Sequence, residues 1–141
     1  MNNKDLNTSP IRFNYYSSEE SGHLPAEVAH WRVALRPRIW RPATDVYDTE
    51  DVVVVRVEIG GMREEDFSIS LVDNYLSIRG FRSDTSERRA YHQLEIPFGE
   101  FSTDVEIPFP VDVDHIEAVY QNGFLNVVLP KARPHHIRVQ E

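Results

Sequence analysis

An all-β antiparallel sandwich is the fold this sequence predicts, and three observations predict it. Runs of strand length recur between Pro42 and Pro130, turn residues separate them, and no helical period of comparable strength is present there. The run Asp51 to Ile59 sets Val53, Val55, Val57 and Ile59 on one face and Arg56 and Glu58 on the other, the pattern of a central strand with one buried face. Asp73-Asn74 and Asn122-Gly123 stand between apolar runs, where a tight hairpin needs residues that tolerate a bent backbone.

The chain has 141 residues, enough for one domain with extensions. Its hydrophobic fraction of 40% and charged fraction of 27% are those of a globular protein. Three regions follow: an arm over 1–41, the sandwich over 42–130 and an extension over 131–141. With no cysteine, disulfide frameworks, thiolate metal sites and cysteine nucleophiles are excluded together. The net charge of -8 argues against nucleic-acid binding, which requires a basic face. That charge is unevenly placed, at +2, -12 and +2 over the three regions, so both ends are drawn electrostatically to the middle. No apolar run reaches membrane-spanning length and the first residues are too polar for a secretory signal, so a cytoplasmic location without stable membrane association is expected.

Taken in order, the arm begins polar and then gathers Ile11, Phe13, Tyr15, Tyr16, Leu24, Val28, Trp31, Leu35 and Trp40. Leu24, Val28, Trp31 and Leu35 share the spacing of one helical face, so a short helix is expected from Pro25, ending near Pro37. Such a helix is marginal alone and needs a partner for its apolar face. After Ile59, Gly60-Gly61 stops the valine-rich strand. Phe67, Ile69 and Leu71 alternate with Ser68 and Ser70, and Leu76, Ile78 and Phe81 form the return strand, with a bulge or exit expected at Gly80. Arg82 to Ala90 reads as an exposed loop, and Tyr91 to Ile96 as a weak strand. Phe101, Val105 and Ile107 make another strand, and a hairpin about Asn122-Gly123 is the last. Seven or eight strands result.

That hairpin carries a resemblance. Ala118, Asn122, Gly123 and Leu125, followed by Leu129-Pro130-Lys131, reproduce a pattern of the small heat-shock protein family, and Gly99-Glu100-Phe101, Ile107-Pro108, Leu76 to Gly80 and Pro42 to Asp48 match further segments in order. The chain departs from the family at Gly60-Gly61, where Pro-Gly is common, at Thr103, where many members carry arginine, and at Ile137-Arg138-Val139, where Ile-x-Ile is usual. The resemblance implies an immunoglobulin-like β-sandwich, the α-crystallin domain, and an ATP-independent holdase without cofactor. It implies that Ile137 and Val139 anchor oligomers by entering a neighbour's groove between two strands, here those of Phe67, Ile69 and Leu71 and of Ala118 and Tyr120. It further implies a dimer built by exchange of the loop bearing Tyr91, Leu94 and Ile96. Client capture falls to Phe13, Tyr15, Tyr16, Trp31, Leu35 and Trp40, large side chains suited to adaptable contact.

The partners expected are therefore unfolding clients and other copies of the chain. A p23-like co-chaperone or adaptor sandwich is the alternative, although the arm, the exchange loop and the Ile-x-Val tail together do not belong to that type. No nucleophile elbow, zinc-protease or phosphate-loop spacing is present. His135-His136 and His115 are read as solvated histidines, with no metal expected.

Overall fold

The run of valines folds as its alternation dictates. In the computed structural model, which describes residues 10–17, 38–85, 87 and 89–133, Val53, Val55, Val57 and Ile59 are all sealed from solvent while Arg56 and Glu58 stay exposed. The strands are β1 (Arg12–Tyr16), β2 (Thr44–Asp48), β3 (Val52–Glu58), β4 (Phe67–Val72), β5 (Tyr75–Arg82), β6 (Gly99–Glu106), β7 (Glu117–Gln121) and β8 (Phe124–Pro130). They form two four-stranded sheets, ordered β1-β4-β5-β6 and β2-β3-β8-β7. Every pairing is antiparallel except β1 with β4, which is parallel.

Both predicted hairpins form. Asp73 (φ 53°) turns the chain between β4 and β5, and Asn122 (φ 54°) with Gly123 (φ 81°) turns it between β7 and β8. Two successive left-handed residues make the second a type I′ turn, whose twist matches that of the strands it joins. The core lies between the sheets, with Phe67, Phe101, Ile69, Leu71, Leu76, Ile78, Leu125 and Leu129 among its fully buried side chains.

Three expectations are corrected. Gly80 forms no bulge: it stays in the ladder, opposite Phe67 on one side and Phe101 on the other, and its missing side chain leaves room for the Phe101 ring. Tyr91 to Ile96 is not a strand; its residues are exposed and pair with nothing within the sandwich, because a strand exists only where another backbone answers its hydrogen bonds. The eighth strand is instead β1, which lies in the region read as an arm outside the sandwich. Part of 1–41 is therefore a sheet member. The helix expected from Pro25 falls outside the described residues.

Candidate functional site

β1 runs along the edge of β4, with Phe13 opposite Ile69 and Tyr15 opposite Leu71. Alternation turns Ile11, Phe13 and Tyr15 to the face that Ile69 and Leu71 present to the core. Ile11 is 7% exposed and belongs to the core cluster; Phe13 packs against that cluster, as Ala118 and Tyr120 do. Tyr15, at the far end, is exposed. The edge of β4 thus carries an apolar-x-apolar segment of the same chain. Phe67, Ile69 and Leu71, expected as groove residues, are wholly buried, so what β4 offers there is its backbone edge and the margin of its inner face.

Tyr120 fixes the other wall. Its hydroxyl donates to the Ile59 carbonyl (2.8 Å) and accepts the Met62 N–H (3.3 Å), and its ring lies 5.0 Å from that of Phe67. One side chain therefore ties β7 to the exit of β3 and to β4. Across the molecule, Lys131 donates to the Asp48 carboxylate (2.9 Å) and the Thr49 carbonyl (2.7 Å), and its ammonium sits 4.2 Å from the Phe109 ring centre. The lysine of the Leu-Pro-Lys segment thereby clamps the β2–β3 turn.

A second exposed apolar feature is the segment between β5 and β6. Leu94 and Ile96 are 67% and 65% exposed, Tyr91 and Phe98 less so. On the opposite sheet β2 pairs, among the described residues, with β3 alone, and its Val46 is 44% exposed. One end of the exposed segment is anchored. Arg82 donates to the Pro97 carbonyl through Nε (3.0 Å) and Nη2 and to the Gly60 carbonyl through Nη1 (3.3 Å), with its guanidinium over Trp40 (4.5 Å) and Phe98 (5.3 Å).

Trp40 is also held by Phe101, with ring centres 5.6 Å apart, and by backbone hydrogen bonds to Glu100 and Ser102 on the β6 edge. It is half-buried in the sandwich. Next to it, Thr44 Oγ1 donates to the Pro42 carbonyl (3.0 Å), so it accepts from the Thr103 hydroxyl (2.9 Å), which in turn accepts from Arg41 Nε (3.2 Å). Thr103 is buried. A guanidinium therefore does reach the Thr103 position, supplied by Arg41 and not by β6.

Of the expected client residues, Phe13, Tyr15 and Tyr16 lie in β1 and Trp40 on the β6 edge, whereas Trp31 and Leu35 fall outside the described residues, as do Ile137 and Val139. Sequence reasoning passed over Ile11 as a core residue and Arg41 as a partner of Thr103. The alternation Ile11-Arg12-Phe13-Asn14-Tyr15 was the available signal for the first; nothing local marks the second. Among the described residues no group of three metal-ligating side chains is present, and no helix is long and apolar enough to cross a membrane.

Two hydrogen-bonded sheets of this order, closed by an Asn-Gly hairpin, define an α-crystallin-type sandwich. Residues 45–141 match the model of the Hsp20/alpha crystallin family, and the chain belongs to that family. It is 31% identical to heat shock protein 16 of Schizosaccharomyces pombe over 89% of this chain and 82% of that one. A probable 15 kDa heat shock protein of Leptospira interrogans is 32% identical over 70% of this chain and 76% of its own length. With small heat shock protein C2 of Rickettsia felis the identity is 30% over 64% of this chain, and the match spans 60% of that protein. Among solved structures, heat shock protein 16.0 from Schizosaccharomyces pombe superposes with a TM-score of 0.61 at 33% identity, covering 72% of this chain and 96% of that one. Membership of this family supports a chaperone role.

Proposed function

We propose that this chain is an ATP-independent holdase of the cytoplasm, which binds unfolding proteins and suppresses their aggregation. The observation that carries the reading is the exposed apolar segment with Leu94 and Ile96 on an otherwise acidic sandwich. Apolar surface of this kind is a liability unless it is an interaction site. No step of the activity needs a nucleotide, because capture requires only apolar contact that the client lacks elsewhere.

The building block we propose is a dimer. Leu94 and Ile96 reach a partner's β2, pair with its free edge and cover Val46. Ile137 and Val139, two apart in an extended tail, then join dimers by entering the strip between a neighbour's β4 and β7, a strand addition with two side-chain pockets. Each such contact is weak, and many together hold an oligomer. Tyr15, Tyr16, Trp31 and Leu35 supply adaptable contact to clients.

An aggregation-prone client heated without ATP, with and without the chain, tests this by light scattering. Suppression that grows with the ratio of chain to client is expected; a scattering curve unchanged at any excess sinks the reading.

A further inference from the structure

The segment that lies against β4 repeats the tail. Ile11-Arg12-Phe13 and Ile137-Arg138-Val139 agree at their first two positions and are apolar at the third. Ile11, just ahead of β1, is 7% exposed in the core; within β1 Arg12 faces out and Phe13 packs on the core opposite Ile69. That is the display a tail of the same spacing requires in order to dock by strand addition. The β4 edge opposite β5 has a single row of backbone donors and acceptors, and β1 takes it from Ser68 to Val72. Two strands cannot share it.

We propose that Ile11-Arg12-Phe13 is an internal substitute for the tail, which holds the β4 edge closed until it is displaced by Ile137-Arg138-Val139 of a second copy. The inference rests on the reading of the tail as an oligomer anchor. β1 belongs to the same chain as the edge it covers, so its effective concentration there is on the order of millimolar. A tail arriving from another molecule meets a site that is open for only a fraction of the time, and its apparent affinity falls by that fraction. Oligomer assembly and release of the N-terminal segment are thereby one event, and each tail that docks frees the aromatic residues that follow Phe13.

The test uses the full-length chain carrying Ile137→Ala and Val139→Ala, so that its own tail is silent, and a fluorescent peptide of residues 131–141 whose binding is read by anisotropy. Adding Ile11→Ala and Phe13→Ala is expected to tighten peptide binding by about tenfold. In a second variant, Asn14→Cys with Ser70→Cys joins facing positions of β1 and β4 in a chain that has no other cysteine. Oxidation is expected to abolish peptide binding and reduction to restore it. The same polypeptide is compared in both states, so this arm decides even if the alanine variant does not fold. Equal peptide affinity in the oxidised, reduced and alanine forms overturns the proposal and leaves the tail reading intact. Absence of binding in every form overturns both.

Discussion

The ring of Phe101 occupies the space a β-carbon on Gly80 needs: a Cβ built there stands 2.5 Å from the ring's Cζ and 2.8 Å from the Asp66 carbonyl oxygen. The second neighbour is backbone and cannot swing aside. Gly80→Ala is therefore expected to destabilise the sandwich by about 2 to 3 kcal/mol through overpacking. Urea denaturation followed by far-UV circular dichroism measures it, and an unchanged midpoint refutes the assignment.

Tyr120→Phe keeps the ring on Phe67 and removes the hydroxyl that serves both Ile59 and Met62. A loss of about 1 to 2 kcal/mol is expected, since a carbonyl and an N–H lose their partner together. The same denaturation curve reads it.

Thr103→Val keeps the shape of a buried side chain and breaks the relay from Arg41 to Thr44, at an expected cost of about 1 to 2 kcal/mol. Thr103→Arg is expected to cost more, because a second guanidinium enters a buried site that Arg41 already serves. Adding Arg41→Ala to Thr103→Arg should then recover part of the loss. Strict additivity of the two changes would show that the side chains do not meet.

Leu94→Ser with Ile96→Ser is expected to weaken the dimer at least tenfold, roughly 1.4 kcal/mol. Sedimentation equilibrium reads the dimer constant, and an unaltered value means that the segment is not the exchanged element.

Ile137→Ala with Val139→Ala is expected to lower oligomer mass and leave the dimer. Burial of each parent side chain contributes roughly 1.5 to 3 kcal/mol before ordering costs, and light scattering behind size exclusion separates the outcomes.

What the sequence disclosed divides along the distance over which its causes act. The alternation of β3 and the turns at Asp73 and Asn122 are local chemistry, and each appears where the residues place it. Gly80 was legible as an exception within a strand, but the ring that requires it comes from β6 and belongs to tertiary packing. β1 shows its period-two pattern in five residues, yet its partner lies beyond the arm and beyond two other strands. The helical spacing of Leu24, Val28, Trp31 and Leu35 downstream is the longer pattern and masks it. Tyr91 to Ile96 shows the converse: its apolar residues read as a strand, and a strand needs a second backbone that no described segment of the chain supplies. At the candidate site, alternation separated the two faces of β4 without saying which one turns inward. Burial of Phe67, Ile69 and Leu71 answers that.

The place of β8 has a consequence for synthesis. It lies between β3 and β7, with Val52 opposite Pro130 and Glu58 opposite Phe124, so the second sheet is joined in the middle by its last-made strand. While the ribosome is still short of residue 124, the β2–β3 hairpin presents an apolar face and an unanswered edge, and an isolated hairpin is at best marginally stable. Closing so distant a pair is slow. A nascent chain of this protein is itself exposed to aggregation until the Asn122-Gly123 hairpin brings β8 home, and variants that slow that turn should lower the yield of folded chain before they lower its stability.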